Sequence, residues 1–189
     1  MKQYTSEKFL DGFVFLEGPR WHDGALWVSD MMAHKVYRIS KSGEREVVVE
    51  VPKRPSGLGF MPDGTPVIVS MLDRLVYKLV DGELVLHTDA STTVKGDLND
   101  MVVDSVGRAY IGNFGYDIFG GGEPATAEII LVDPDGSHRV VADNLECPNG
   151  TVISTDGRTL IVAESFAGRL TAFDRAANGD LSNRRVYAE

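Results

Sequence analysis

The sequence has little of what marks a secreted or membrane-bound protein. It contains one cysteine, Cys147, so no internal disulfide can form. No apolar run reaches the roughly eighteen residues needed to span a membrane. Residues 1–15 have mixed charge and lack the apolar segment of a signal peptide. These absences predict a cytoplasmic protein with no membrane partner.

Positive charge is also scarce. The chain has 19 lysines and arginines against 28 aspartates and glutamates, which gives a net charge of −9 at pH 7. A surplus of acid repels phosphate backbones, and no basic stripe interleaved with aromatic residues offsets it. We therefore expect no nucleic-acid partner.

Familiar hydrolase motifs are missing as well. The chain has neither a His-Glu-x-x-His nor a Gly-x-Ser-x-Gly segment, and its four histidines show no metal-ligand spacing. Cys147 has no histidine nearby in the sequence, so we predict a small buried residue rather than a nucleophile. Zincin and serine-hydrolase mechanisms are disfavoured.

What the chain does contain is a repeated unit. Four times, a polar residue stands seven or eight positions before a turn glycine. The pairs are Glu17 and Gly24, Ser56 and Gly64, Asn99 and Gly107, and Asn149 and Gly157. The turn glycines lie 40, 43 and 50 residues apart, which is the period of a β-propeller blade.

The pattern between these markers is that of short strands. Apolar runs of four to six residues alternate with clusters of Gly, Asp, Pro and Ser, and nothing indicates a long helix. We predict an all-β protein, a single partial propeller domain with four antiparallel strands per blade. The predicted blades are 16–54, 55–97, 98–147 and 148–189, with 1–15 as an N-terminal strand. Trp21 and Trp27 are predicted to pack in the core of the first blade.

The shared phase of the polar markers predicts a metal site. The innermost strand of a blade begins at the central channel, so Glu17, Asn99 and Asn149 should converge there as oxygen ligands of one divalent cation. Ca²⁺ is the expected ion, with Zn²⁺, Mg²⁺ and Mn²⁺ as alternatives. Taken singly, a glutamate at a strand start or an asparagine in a turn has an ordinary structural explanation. Ser56 is predicted to line the channel without binding the ion strongly.

A long loop, 114–127, interrupts the third unit and contains three consecutive glycines. A loop of this length inside a compact repeat is commonly a cover over a pocket, or a solvated connection without a role. Both interpretations stand at this point.

Several segments resemble the gluconolactonase, regucalcin and luciferin-regenerating-enzyme family. They are Leu16-Glu-Gly-Pro-Arg-Trp, Leu98-Asn-Asp-Met-Val-Val-Asp, Cys147-Pro-Asn-Gly and Ala163-Glu-Ser-Phe, in the family's order. The resemblance implies a six-bladed propeller that binds one divalent cation and hydrolyses a lactone, often a sugar lactone. It also implies that Glu17 and Asn149 are metal ligands and that Asn99 lies at the metal and substrate site.

The chain departs from the family pattern in two places. Asp97 stands where sugar-lactone members often carry an arginine, and an acid there would repel a carboxylate-bearing product. Asp97, Asn99 and Asp117 are predicted to contact the substrate. The family's catalytic aspartate lies beyond Glu189, so no catalytic residue is assigned, although Asp97, Asp100 and Asp117 are acids that could act in its place.

The length of 189 residues accounts for four blades, whereas a six-bladed ring needs about 100 residues more. Three alternatives account for the missing blades. The chain is a fragment of a longer protein, or it forms a homo-oligomer in which partner chains close the ring, or it closes as a four-bladed ring. The expected function is metal-dependent opening of a small-molecule lactone. The alternatives are a non-catalytic calcium-binding or ligand-binding propeller, and an inactive fragment.

Overall fold

The computed structural model describes residues 3–189, which form sixteen β-strands and no helix. The strands make four antiparallel sheets, and each sheet contains four strands that are consecutive in the chain. This is the four-bladed propeller arrangement expected from the repeat. Within the described range there is accordingly no helix of a length and hydropathy that could cross a membrane.

Each sheet occupies one repeat unit. The first comprises β1 (Leu16–His22), β2 (Ala25–Asp30), β3 (Lys35–Ile39) and β4 (Arg45–Glu50). The second comprises β5 (Pro55–Phe60), β6 (Pro66–Ser70), β7 (Leu75–Val80) and β8 (Glu83–Asp89). The third comprises β9 (Leu98–Val103), β10 (Ala109–Asn113), β11 (Ala127–Val132) and β12 (His138–Leu145). The fourth comprises β13 (Pro148–Ile153), β14 (Thr159–Glu164), β15 (Arg169–Arg175) and β16 (Leu181–Ala188).

The first strand of each sheet lies at the centre of the molecule. β5 packs beside β1 and β9, and β13 packs beside β9. The inner strands β5 and β9 are almost entirely buried, whereas the last strand, β16, is almost entirely exposed. Gly57 of β5 permits the close approach of β5 to β9, because a Cβ at that position would lie 2.6 Å from the backbone nitrogen of Met101.

The core consists of apolar layers between successive sheets. Ala25 and Trp27 of the first sheet pack with Ile68 of the second. Equivalent layers join the second sheet to the third and the third to the fourth. Because each sheet buries a face against its neighbour, the packing holds the inner strand starts in a common region.

Two predictions about the N-terminal part are wrong. Residues 3–15 contain no strand; residues 1 and 2 lie outside the described residues. The backbone N–H groups of Val14 and Phe15 instead donate to the Asp30 carboxylate, each at 2.9 Å. A side chain therefore accepts the hydrogen bonds that the backbone of a neighbouring strand would accept in a sheet. Trp21 is 60% exposed, and Lys41 lies 5.7 Å from its ring centroid. Trp27 is buried as predicted.

Candidate metal and substrate site

Glu17, Asn99 and Asn149 line one cavity of about 270 Å³ at the centre of the molecule. Each is the second residue of the first strand of its sheet: β1, β9 and β13, respectively. The structure therefore brings the three predicted ligands together from three different blades. Their role as ligands remains a prediction.

The buried amide of Asn99 has a defined orientation. Its Nδ2 donates a hydrogen bond to the backbone carbonyl of Pro148 at 3.1 Å. Its Oδ1 accepts a long hydrogen bond of 3.5 Å from the hydroxyl of Ser56. Since a weak hydrogen bond at this distance leaves the oxygen largely uncommitted, Oδ1 is suited to a cation or a polar ligand group.

Glu17 contributes the carboxylate of the cavity. Its side chain is half-buried, and burial raises its pKa, with a further rise from the negative charge of Asp100. Both effects disfavour the ionised form, and a cation beside Glu17 would reverse them. The protein therefore places an acid in an environment that positive charge would stabilise.

Asp100 is already committed to another partner. Its Oδ1 accepts a hydrogen bond from Nη2 of Arg20 at 2.8 Å, and the side chain is buried. Burial raises the pKa of Asp100, and the ion pair with Arg20 opposes that rise. This carboxylate acts chiefly as the counter-ion of Arg20.

Asp97 is buried, at 4% exposure, and its Oδ2 has no hydrogen-bond partner among residues 3–189. Burial and the nearby charge of Asp117 raise the pKa of Asp97 to about 6, although Arg74 and Arg54 oppose the rise. Asp117 is exposed, and its Oδ1 accepts a 2.6 Å hydrogen bond from the backbone of Gly120. Neither acid is among the residues that line the cavity, and their substrate roles stay predictions.

The loop that precedes β11 forms one side of the cavity. Phe114, Ile118 and Phe119 all face it, and the Phe114 and Phe119 rings meet edge to face at 6.3 Å between centroids. Gly115 has a φ of 80°, and a Cβ there would lie 2.5 Å from the carbonyl oxygen of Ala125. The loop thus contributes to the pocket, as the cover interpretation requires, while residues 119–126 are exposed.

Cys147 also lines the cavity and is buried. Burial raises the pKa of its thiol to about 11, so the thiol stays protonated at neutral pH. This agrees with the prediction that Cys147 is not a nucleophile. Among residues 3–189, no three His, Cys, Asp or Glu side chains are grouped as metal ligands. The candidate ligand set consists of one carboxylate and two carboxamides.

A second set of cavity residues was missed from the sequence. Each directly follows the second strand of its sheet: Met31, Met71, Phe114 and Ser165. Their common position in the repeat is the signal that would have identified them. For Met31 and Met71, an apolar residue after a strand indicates a core position, whereas Phe114 lies in the loop 114–127 that was already a candidate pocket cover.

Comparison with known proteins points to one family. The family model described as SMP-30/Gluconolactonase/LRE-like region matches residues 15–189. A pentonolactonase from Haloferax volcanii is 26% identical over 182 residues, which cover 92% of this chain and 58% of that protein.

Solved structures share the fold. A gluconolactonase from Xanthomonas campestris is 25% identical and superposes with a TM-score of 0.81, covering 94% of this chain and 63% of that one. A calcium-binding protein, regucalcin, from Agrobacterium tumefaciens has a TM-score of 0.75 at 22% identity, covering 93% of this chain and 59% of that one. The chain thus spans about three fifths of the length of these relatives.

Proposed function

Since the chain belongs to the SMP-30/Gluconolactonase/LRE-like family, we propose that its central cavity is the metal-binding part of a lactone hydrolase. The observation that carries the proposal is the convergence of Glu17, Asn99 and Asn149 on one cavity from three blades. The similarity to a pentonolactonase and to a gluconolactonase supports a lactone as the substrate.

The donor set suits a hard divalent cation. Carboxylate and amide oxygens are the ligands that Ca²⁺ prefers in proteins, and Mg²⁺, Mn²⁺ or Zn²⁺ are the alternatives. Glu17 would supply the charge, while Asn99 and Asn149 would supply neutral oxygens. The hydrogen bond from Asn99 to Pro148 directs the amide nitrogen away and presents Oδ1. A cation held there supplies the Lewis acidity that polarises the carbonyl of an ester.

The proposed reaction is ring opening by water. Water adds to the lactone carbonyl carbon, the ring C–O bond breaks, and the product is a hydroxy acid. In this scheme Asn99 and Asn149 position the carbonyl end of the substrate at the polar side of the cavity. The loop residues Phe114 and Phe119, which line the same cavity, would limit the access of bulk water to the bound ring.

A second candidate is cation binding without turnover. Two of the acids that could act as a general base are already engaged, since Asp100 is paired with Arg20 and Asp117 caps Gly120. Propellers often serve as binding platforms, and the regucalcin structure with the same fold is described as calcium-binding.

Hydrolysis of a panel of lactones separates the two candidates. The panel is assayed with the full chain in Ca²⁺, in chelator, and after Ca²⁺ is restored. The lactonase proposal predicts turnover that chelator removes, that restored metal recovers, and that Glu17→Gln lowers at least tenfold. Ion binding with no turnover of any lactone would favour the second candidate. Light scattering on the same sample tests whether the chain forms a homo-oligomer, which is one of the three alternatives for the missing blades.

A further inference from the structure

The cavity is lined by two chemically distinct sets of side chains. Glu17, Asn99 and Asn149 are the predicted polar ligands, whereas eight of the thirteen lining side chains are aliphatic, thioether or aromatic. We call six of these eight apolar side chains the apolar wall. It consists of Met31, Met32, Met71, Phe114, Phe119 and Phe166.

The apolar wall includes both buried and solvent-exposed side chains. Met31 and Met71 are buried, at 4% and 1% exposure. Met32, Phe119 and Phe166 are 37%, 43% and 56% exposed. Exposed large apolar side chains gathered around one cavity commonly mark a binding site rather than a core. Such a surface next to polar groups is typical of a small-molecule pocket.

This wall comes from four different blades. Met31, Met71 and Phe114 occupy the same position, directly after the second strand of their sheets, and Phe166 is one residue beyond the equivalent position in the fourth. The repeat that places polar residues at the strand starts therefore also places apolar residues around the same cavity. Methionine side chains adapt their shape to varied apolar ligands.

The wall discriminates between classes of lactone. A sugar lactone carries several hydroxyl groups, and each one that faces Met or Phe loses its hydrogen bonds to water without replacement. An alkyl substituent gains instead, by roughly fourfold in affinity for each fully buried methylene. A cavity of about 270 Å³ lies just below the usual range for ligand sites, so a ring with a short substituent fits it best.

We propose that the ligand of this cavity is an uncharged lactone with an apolar substituent. The ring carbonyl lies at Glu17, Asn99 and Asn149, and the substituent lies against the apolar wall. The inference rests on the proposed function for the choice of a lactone ring.

Binding of unhydrolysed analogues tests the inference separately from turnover. The probes are three δ-lactams: the unsubstituted ring, the ring with a pentyl group beside the nitrogen, and glucono-δ-lactam. Calorimetric titration of the full chain in Ca²⁺ should show that the pentyl compound binds at least tenfold more tightly than the unsubstituted ring. Glucono-δ-lactam should bind no more tightly than the unsubstituted ring.

Variants of the wall provide the matched controls. Phe119 lies in an exposed loop, and Phe119→Ser should weaken binding of the pentyl compound about tenfold and binding of the unsubstituted ring by a clearly smaller factor. Met32→Ser is a second variant with the same expectation. Leu86→Ser, on β8 and 55% exposed, should change neither affinity.

The outcomes separate this inference from the proposed function. Equal binding of the pentyl and unsubstituted compounds, tighter binding of glucono-δ-lactam, or no binding of any lactam would overturn the inference. Preferred hydrolysis of a sugar lactone would overturn it as well, while the lactonase proposal would stand. Selective binding of the pentyl compound without turnover of any lactone would leave the ligand class supported and the hydrolase proposal refuted.

Discussion

The amide nitrogen of Asn99 donates a hydrogen bond to the backbone carbonyl of Pro148, 3.1 Å away and in the next sheet. This contact joins the inner strands of the third and fourth sheets at the edge of the candidate site. Asn99 therefore has a structural role, which the nitrogen fills, and a proposed ligand role, which falls to the oxygen.

Asn99→Ala should lower the free energy of unfolding by about 1–3 kcal/mol, because the buried carbonyl of Pro148 loses its side-chain donor. Ser56→Ala is the matched control. The Ser56 hydroxyl makes only a 3.5 Å hydrogen bond to the same asparagine, so its loss should cost less than about 1 kcal/mol. Urea unfolding in chelator measures both. Equal costs for the two variants would refute the structural role of Asn99.

Asp104 joins the third and fourth sheets at a second place. Its carboxylate accepts hydrogen bonds from Arg108 and Arg175, and Arg175 also donates to the hydroxyl of Tyr110 at 2.7 Å. The Asp104 and Arg175 side chains are 2% and 10% exposed. The network fixes one blade against the next.

Asp104→Asn should destabilise the protein by about 3 kcal/mol or more, since it leaves two buried guanidinium groups without their counter-ion. Asp174→Asn provides the comparison. Asp174 pairs with Arg185, but both side chains are 46% exposed, so the loss should be below about 1 kcal/mol. Thermal and urea unfolding of both variants test the contrast. A cost for Asp104→Asn no larger than that for Asp174→Asn would show that the network is not important for stability.

Glu164 makes stability depend on acid pH. The carboxylate is fully buried; burial alone would raise its pKa, but hydrogen bonds from Arg169, Thr171 and the Glu146 backbone lower it to about 2. The unfolded value is 4.5. Because the folded state holds the ionised form, the stabilisation is present above pH 4.5 and is lost as the pH falls towards 2.

Glu164→Gln should reduce stability at pH 7, by on the order of 3 kcal/mol for a shift of this size, and should flatten the slope below pH 4.5. Glu83→Gln, an exposed acid on β8, should leave both unchanged. Urea unfolding at pH 7, 4 and 3 gives the slopes. An unchanged acid slope in Glu164→Gln would contradict the assignment.

The repeat phase predicted the position of the candidate ligands because equivalent residues of equivalent strands occupy equivalent places. Glu17, Asn99 and Asn149 are each the second residue of an inner strand, as a period of 40 to 50 residues required. The same logic would have given Met71 and Phe114, had the position after the second strand been aligned in the same way.

Features that break the repeat were not predictable. The register of β1 against β2 shifts between Glu17 and Arg20, and this bulge lies directly before Trp21, whose large aromatic side chain was expected in the core. The path of the loop near Asp117 depends on close backbone packing around Gly115, which sequence alone does not reveal. Asp97 is only 4% exposed, and an acid just before a strand carries no local signal of burial.

Calorimetric titration with Ca²⁺ shows whether Glu17, Asn99 and Asn149 hold a cation. One ion should bind per chain, with an affinity that is at least tenfold weaker in Glu17→Gln and unchanged in Glu46→Gln, an exposed acid on the outer strand β4. An affinity that does not differ between Glu17→Gln and the unaltered protein, or the absence of ion binding, would contradict the proposed metal site.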